Sequence, residues 1–330
     1  MNAHDAPPAP LLILGARGLL GLALVRRADA LGLPGVLAWG RADLDLRDAA
    51  STDAAIAASG AQTVILAAAR VGGIHANSHY PVEFLGDNLA IYSNVIHAAF
   101  RAGVQRLIFV GSNCSYPRNA PQPIAETSLF QGYVEPTNSA FAQAKLAAIE
   151  LCRAYNQQYG TRYLAVMPTS LYGPGDNYDP QNSHVMAAMI RRFVAAKATG
   201  SAQETIWGTG TPLRELLYVD DAAEACLFLA GLPDAEFDAV LKAGRYPVVN
   251  IGGGVERSIL QIAQDVAAAV GYTGAITTDP SKPDGVPRKL LDNARLAALG
   301  WRARTPYDEG LRRAIEDYLS RHPDAATLSN

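Results

Sequence analysis

The stretch "PLLILGARGLLGLALVRRADALG", residues 10–32, joins a short apolar run, a glycine-rich turn and a longer apolar pattern. The run "LLIL" is typical of a buried strand, and the pattern from Leu19 onward is typical of a helix. Between them, Gly15, Gly18 and Gly21 form a GxxGxxG loop. Glycines permit a tight turn and close backbone approach, and the start of the following helix offers free N–H groups to a phosphate. The order strand, loop, helix therefore predicts a dinucleotide-binding unit.

The same alternation of strands and helices continues along the chain. Uninterrupted apolar runs recur at "GVLAWG", "QTVILAAA" and "RLIFVGS", as expected for parallel strands covered on both faces. Helical patterns span about 81–103 and 138–160, and we interpret "YLAVMPTSLYGP" as one further strand. This order predicts an α/β fold with a Rossmann-type doubly wound parallel sheet.

After about residue 175 the alternation loosens into Gly- and Pro-rich turns such as "WGTGTPLREL" and "DPSKPDGVPRK". We therefore divide the chain into a Rossmann domain, 1–175, and a smaller mixed α/β C-terminal substrate lobe, 176–330. The last helix of the lobe is expected near 306–320. The apolar run "VVNIGGG" is a candidate to return to the first domain.

Composition excludes several classes of protein. Of the 330 residues, 49% are hydrophobic and 18% charged, which suits a globular protein with a large core. A net charge of −3 gives no basic footprint for nucleic acid, and no apolar run is long enough for a membrane span. Three cysteines cannot all pair, and Cys152 and Cys226 fall in apolar helical patterns that indicate core positions. With no basic region for a secretory signal, we expect a cytoplasmic protein that binds no metal.

Two arginines indicate which dinucleotide is bound. An NAD site usually carries an acidic residue at the end of the second strand. This chain instead has "WGRAD" there, with Arg41, and Arg17 lies inside the glycine loop. Guanidinium groups suit a 2′-phosphate, so NADP(H) is favoured over NAD. The alternative is that both arginines are solvated surface residues.

A candidate chemical site follows the strand "RLIFVGS", which ends at Ser112. Doubly wound sheets place their chemistry at the carboxyl ends of strands. In the stretch "NSAFAQAK", Phe141 and Lys145 lie four residues apart and therefore on one face of a helix. We expect Ser112 and Lys145 to converge with Phe141 between them. A hydroxyl on that ring would be an acid tuned by the ammonium, and phenylalanine lacks it.

Longer segments carry a family resemblance: "AAARVGGI", "GSNCSYP", "EPTN", "AYNQQYG", "MPTSLYGPGDNYDPQNSHV", "WGTGTPLREL" and "SKPDGVPRKLLD". Together they resemble the GDP-L-fucose synthase family of extended short-chain dehydrogenases/reductases. Its members are NADPH-dependent 3,5-epimerase/4-reductases of GDP-4-keto-6-deoxy-mannose. The resemblance covers roughly residues 10–320. It leaves open whether the sugar is the fucose precursor or a related 4-keto hexose, such as a 3,6-dideoxy or heptose analogue.

The resemblance implies a role for each catalytic position. Cys114 would be the base that removes the C3 and C5 hydrogens, and His184 the acid that reprotonates the opposite face. Ser112 would hydrogen-bond the C4 oxygen. Lys145 would grip the nicotinamide ribose and tune a tyrosine that donates a proton to that oxygen. In this chain the tyrosine position is Phe141.

The resemblance also implies two binding sets. The cofactor set is Gly15, Arg17, Gly18, Leu19, Gly21, Arg41, Asp45, Leu46, Val110, Gly111, Lys145, Pro168, Ser170, Leu171 and His184. The set for the GDP-linked sugar, whose phosphates need cations, is Arg192, Trp207, Arg214, Asp284 and Lys289. Ser170 departs from the family, which usually carries asparagine there.

Three interpretations of Phe141 stay open. It is either a substitution made in an otherwise complete enzyme, or a natural residue of an epimerase with a slow or lost reductase step. The third alternative is a non-catalytic binder of nucleotide sugar or NADP(H). The resemblance further implies a homodimer formed by a four-helix bundle of the helices near 81–103 and 138–160. Ile91, Val95 and Ile149 are candidates to point outward there, although core packing explains them equally well.

Overall fold

The structure is a computed structural model that describes residues 6–180, 182–282 and 284–326. Twelve strands are present in this part of the chain: β1 Leu11–Leu14, β2 Val36–Trp39, β3 Thr63–Leu66, β4 Arg106–Val110, β5 Arg162–Pro168, β6 Ser170–Tyr172, β7 Gln203–Trp207, β8 Leu213–Tyr218, β9 Val248–Ile251, β10 Val255–Ser258, β11 Ala275–Asp279 and β12 Arg288–Lys289. The α-helices are α1 Leu19–Ala30, α2 Ala49–Ser59, α3 Ile74–His79, α4 Pro81–Arg101, α5 Ser139–Tyr159, α6 Val185–Ala198, α7 Val219–Ala230, α8 Asp234–Lys242, α9 Ile259–Val270, α10 Ala294–Ala298 and α11 Tyr307–Arg321.

Six parallel strands form the central sheet in the order β2-β1-β3-β4-β5-β9. Strands β1, β3 and β4 are buried at every position, because helices cover both faces. One apolar core lies between the sheet and α2, α4 and α5, and the other between the sheet and α1, α7 and α8. The strand order reverses between β1 and β3, which is where doubly wound sheets bind ligands. The predicted doubly wound α/β fold is confirmed.

The remaining strands belong to smaller sheets. β8 pairs with β6, β10 and β12, and β7 pairs with β11. A third apolar core lies between the strands β6, β7 and β8 and the helices α6, α9 and α11. "VVNIGGG" supplies β9 and so returns to the central sheet. The division at residue 175 stays a prediction.

The prediction of one strand in "YLAVMPTSLYGP" is wrong. The run forms β5 in the central sheet and β6 in the β8 sheet, with Thr169 between them. The Thr169 backbone N–H donates to the Ile251 carbonyl at 3.0 Å, and its hydroxyl donates to the Glu215 carbonyl at 3.1 Å. Thr169 is thus bonded to both sheets at the point where the chain passes from one to the other.

The predicted long helices are confirmed as α4, α5 and α11. Val95 and Ile149 are fully buried, so core packing explains them, and Ile91 packs partly buried against the same core. Cys152 and Cys226 are buried as expected. Among the described residues, no helix has the length and apolar character that a bilayer crossing requires.

A buried amide ties β9 to the surrounding loops. The Asn250 side chain accepts a hydrogen bond from the Tyr116 hydroxyl at 2.6 Å. It donates to the carbonyls of Ile124 at 2.8 Å and Asp292 at 3.0 Å. Each of these partners is distant in sequence, so the amide fixes loops that local propensity leaves undetermined.

We therefore predict that Asn250→Ala lowers the free energy of unfolding by about 2–4 kcal/mol, because the Tyr116 hydroxyl and the carbonyls of Ile124 and Asp292 each lose a hydrogen bond. Chemical denaturation measures the change. Gln143→Ala, which removes an exposed amide on α5, is the matched control and should change the unfolding free energy by less than about 0.5 kcal/mol. Equal losses in the two variants would contradict this account of Asn250.

Candidate active site

The glycine loop after β1 is built for close backbone approach. Gly15 has φ +90°, and a Cβ there would lie 2.5 Å from the Ala68 backbone nitrogen. A Cβ on Gly21 would lie 2.0 Å from the Gly15 carbonyl oxygen. Gly18 caps α1 without a side-chain hydrogen bond, and Leu19 is the first helical residue. The helix N–H groups are therefore available to an anion, which fits the pyrophosphate of a dinucleotide.

Arg17 and Arg41 lie together beyond the end of β2. A Cβ on Gly40 would come within 2.5 Å of Arg17 Cγ, so the arginine stem lies against this glycine. Both arginines are exposed. The nearby acidic residue Asp43 accepts a hydrogen bond from the Gly40 backbone N–H at 2.7 Å. The pair of exposed cations fits a 2′-phosphate.

Asp45 and Leu46, also predicted to contact the cofactor, differ in their surroundings. Arg47 donates hydrogen bonds to the Asp45 carboxylate, with 2.6 Å between Nη2 and Oδ2, and these bonds lower the pKa of Asp45 to about 2. Leu46 is buried in the core beside α2 and α4. Asp45 is therefore an ionised residue already engaged by a neighbour.

The loop after β4 positions the candidate base. A Cβ on Gly111 would lie 2.6 Å from Met167 Sδ, which explains the glycine beside Val110 at the strand end. The Ser112 hydroxyl accepts a hydrogen bond from the Cys114 backbone N–H at 3.1 Å. This bond starts the 3-10 helix Asn113–Ser115, which carries the thiol.

Cys114 lies in a cationic environment. Lys289 Nζ is 3.4 Å from Cys114 Sγ. Burial by itself raises the pKa of the thiol, but the charges of Lys289 and Arg214 and hydrogen bonds from Ser112 and Lys289 outweigh it. The pKa of Cys114 is consequently lower than that of an ordinary cysteine, which favours the thiolate.

Lys145 is enclosed by aromatic rings. Its Nζ donates to the Val110 carbonyl at 2.5 Å and lies 4.6 Å from the ring centroid of Tyr92, 4.8 Å from Phe109 and 5.6 Å from Phe141. Burial lowers the pKa of Lys145 to about 7. The ammonium is thus stabilised by one carbonyl and by aromatic faces.

Tyr133, a candidate substitute for the missing hydroxyl, lies on the surface. It is 96% exposed, whereas Lys145 is 3% exposed. Phe141, which shares a face of α5 with Lys145, carries no proton to donate.

His184 is the N-cap residue of α6. The segment before it lies close to the turn after β3, because a Cβ on Gly73 would be 3.1 Å from the Ser183 carbonyl oxygen. The segment before His184 therefore lies beside the turn after β3, and Cys114 follows β4, the strand next to β3 in the central sheet. His184 is exposed, and desolvation by neighbouring protein atoms lowers the pKa of its imidazole.

The predicted cofactor residues Pro168, Ser170 and Leu171 lie at the crossing between the two sheets. Pro168 ends β5, and the other two begin β6. β5 runs beside β4, which Gly111 follows, and β6 runs beside β8, which carries Arg214. The crossing therefore places them between the cofactor loop and the substrate residues.

The predicted phosphate-binding arginines already have partners. Arg192 Nη2 lies 2.5 Å from the Glu204 carboxylate and 2.5 Å from the Thr205 carbonyl oxygen. Arg214 donates to the carbonyls of Leu213 at 2.8 Å and Val286 at 2.7 Å. Arg214 is therefore a fixed cation, and Arg192 is held in an ion pair.

Trp207 and Asp284 lie at the rim formed by β7 and the loop before β12. Trp207 is 61% exposed, and Lys282 Nζ lies 5.7 Å from its ring centroid. The Asp284 carboxylate accepts hydrogen bonds from the Thr209 N–H at 2.7 Å and hydroxyl at 2.9 Å. An exposed indole beside a cation is a surface on which a planar base can stack.

Sequence reasoning missed two residues that shape the site. Glu215 is fully buried, and its carboxylate accepts hydrogen bonds from the N–H groups of Leu291 and Gly254 at 2.9 and 2.8 Å. Its signal was a carboxylate directly before the apolar run "LLYV" in the stretch "LRELLYV". Tyr92 covers Lys145 from α4, a contact for which the sequence offers no local signal.

Comparison with known proteins gives the family. The NAD dependent epimerase/dehydratase family model matches residues 11–252. "GDP-L-fucose synthase 1" of Arabidopsis thaliana is 45% identical over 311 residues, 94% of this chain and 93% of the relative. "GDP-L-fucose synthase" of Escherichia coli is 44% identical over 312 residues, 94% of this chain and 96% of the relative.

Solved structures agree with this assignment. A GDP-6-OMe-4-keto-L-xylo-heptose reductase from C. jejuni superposes with a TM-score of 0.88 at 30% identity, covering 94% of this chain and 97% of that one. A GDP-L-fucose synthetase from Naegleria fowleri bound to NADP superposes with a TM-score of 0.86 at 28% identity, covering 98% and 97%. The chain belongs to the NAD dependent epimerase/dehydratase family and, within it, to the GDP-L-fucose synthases.

Proposed function

We propose that this protein is an NADP(H)-dependent 3,5-epimerase/4-reductase of GDP-4-keto-6-deoxy-mannose, or of a close 4-keto GDP-sugar, with its reduction step slowed by Phe141. The observation that carries the proposal is the thiol of Cys114, held beside Lys289 at the carboxyl end of the central sheet. The relatives named GDP-L-fucose synthase support the substrate class. A cytoplasmic setting stays a prediction from the unpaired cysteines.

The glycine loop, the start of α1 and three cationic side chains hold the cofactor. The N-terminus of α1 and the backbone at Gly15 and Gly18 receive the pyrophosphate, and Arg17 and Arg41 receive the 2′-phosphate. Lys145 holds the nicotinamide ribose. When bound, the cofactor supplies a hydride to C4 of the sugar.

Epimerisation uses groups that Phe141 does not touch. The C4 ketone acidifies the C3 and C5 hydrogens, Cys114 removes them as a thiolate, and His184 returns a proton on the opposite face. Ser112 donates to the C4 oxygen as negative charge develops there, which requires its O–H to turn from the Cys114 sulfur to the ligand while its oxygen still accepts from the Cys114 N–H. Arg214 and Arg192 bind the diphosphate, which requires Arg192 to exchange Glu204 for the ligand.

We expect deuterium to enter C3 and C5 when the protein is incubated with GDP-4-keto-6-deoxy-mannose in D2O, as read by mass spectrometry. Cys114→Ser should slow the exchange by about 10²–10⁴-fold, because a hydroxyl is a far weaker base at neutral pH. Asn119→Ala, an exposed residue of the same loop, is the control and should exchange at the original rate. Undiminished exchange in Cys114→Ser would show that the thiol is not the base.

The reduction step lacks the tyrosine that the family resemblance implies as its general acid. Phe141 keeps a ring beside Lys145 but has no proton for the C4 oxygen. Loss of a positioned general acid typically costs about 10²–10⁴-fold, or roughly 3–5 kcal/mol of barrier. The alternative function is an epimerase without reduction, because Phe141 removes the proton donor of reduction and leaves Cys114 and His184 in place.

Restoring the oxygen with Phe141→Tyr should accelerate NADPH oxidation by about 10²–10⁴-fold and leave the exchange at C3 and C5 unchanged. Absorbance at the NADPH band follows the reaction. Phe130→Tyr adds the same atom at a side chain that is 40% exposed and should have no effect. If Phe141→Tyr oxidises NADPH no faster than the parent, the missing hydroxyl is not what limits reduction.

We further propose a homodimer that pairs α4 and α5 with the same helices of a second copy. The outer surface of this helix pair carries aromatic residues: Phe100 lies 4.5 Å from Tyr159 and 4.9 Å from Tyr155, measured between ring centroids. Tyr159 is 53% exposed and Leu89 is 38% exposed. Exposed apolar side chains on adjacent helices support burial against a partner.

Light scattering should give twice the mass of one chain. Leu89→Glu should shift the population toward monomer, because burying an unpaired carboxylate in an interface costs several kcal/mol. Val71→Glu, at a residue that is 55% exposed and lies outside both helices, is the control. A monomeric parent protein would refute the dimer outright.

A further inference from the structure

Lys289 is placed by strand register. β12 pairs in parallel with β8, and Lys289 is the partner of Arg214. Residues opposite one another in a sheet point to the same face, and successive residues alternate. Arg288 therefore points away from the thiol, and its Nε lies 2.6 Å from the Glu256 carboxylate. One short strand thus presents two cations on opposite faces.

We propose that Lys289 is a positioning residue that holds Cys114 as a thiolate, and that it is not primarily a ligand of the substrate's phosphates. This inference rests on the proposed epimerase function and deepens it. The distance that carries it is 3.4 Å between Nζ and Sγ, which is hydrogen-bonding range for sulfur. An ammonium so placed stabilises negative charge on sulfur.

Other charges near the thiol act in the same direction or are already engaged. Arg214 adds a second positive charge, and its guanidinium is tied to backbone carbonyls. The acidic groups that reach Arg214 are Asp284 and Glu135. Asp284 is bonded to Thr209, and Glu135 pairs with Arg118 at 3.4 Å. Ser112 contributes the remaining hydrogen bond.

The proton balance of the step is simple. Cys114 as thiolate forms an S–H bond while a C–H bond next to the ketone breaks, and the electron pair moves to the C4 oxygen. Lys289 keeps its proton throughout. Lys289 raises the fraction of Cys114 that is ionised before the step. Because that fraction varies with pH, the effect of Lys289 depends on pH. Removing the ammonium takes away a group that favours the charged form, and the thiol then ionises only at higher pH.

Alkylation of the intact protein by iodoacetamide tests this without substrate. The rate at Cys114, followed by peptide mass spectrometry against pH, reports the thiolate fraction, while the buried Cys152 and Cys226 stay unmodified. In Lys289→Met the midpoint should move up by about one pH unit, and the rate at neutral pH should fall about tenfold. Lys289→Arg should retain most of the parent profile.

Arg288→Met, the neighbour on the opposite face, should leave the profile unchanged. If Lys289→Met and the parent protein have the same midpoint, the inference is overturned. A weakened affinity for GDP together with an unchanged midpoint would make Lys289 a phosphate ligand and would also overturn it. Deuterium exchange distinguishes failure of this inference from failure of the proposed function. A shifted midpoint without any exchange in the parent protein refutes the epimerase function but leaves the Lys289–Cys114 pair standing.

Discussion

Glu215 accepts hydrogen bonds from two backbone segments that local sequence does not bring together, the turn at Gly254 and the chain at Leu291. Burial raises the pKa of this carboxyl, and the hydrogen bonds oppose that shift. Because Leu291 lies two residues after the end of β12, the carboxylate fixes the segment that carries Lys289. The Glu215 carbonyl also accepts a hydrogen bond from the hydroxyl of Thr169, the residue at which the chain passes between the two sheets. The cationic environment of Cys114 thus depends on a buried anion on the neighbouring strand.

Local pattern was enough to predict the parts that local interactions determine. The glycine loop, the parallel strands and the helices α4, α5 and α11 follow from periodicity and from glycine chemistry. The break between β5 and β6 was missed, because only bonds from Thr169 to distant segments reveal it. The contact between Lys289 and Cys114 joins residues 175 positions apart, and the ion pair between Arg192 and Glu204 is equally invisible to composition. The family resemblance named Cys114, Lys289 and Arg192 without giving their contacts.

The surroundings of Lys145 show why an aromatic residue is accommodated at position 141. The ammonium is stabilised by the rings of Tyr92 and Phe109 and by one carbonyl, none of which requires a hydroxyl on the neighbouring residue. The third ring therefore fits electrostatically whether or not it carries oxygen. Packing around the lysine and proton supply to the substrate are separable properties of this site. Under the proposed function, one oxygen atom at position 141 affects the reduction and leaves the epimerisation and the fold unchanged.

The last strand of the central sheet has a consequence for synthesis on the ribosome. β9, residues 248–251, pairs with β5, residues 162–168, so about a quarter of the chain lies between the two strands and must emerge after β5 before the sheet is complete. Until then β5, which is buried along nearly all its length in the finished protein, presents an unpaired apolar edge. Such edges recruit other chains, and nascent proteins that must wait for a distant partner are exposed to aggregation. A truncated product ending before residue 248 would keep that edge permanently and should be a substrate for chaperones.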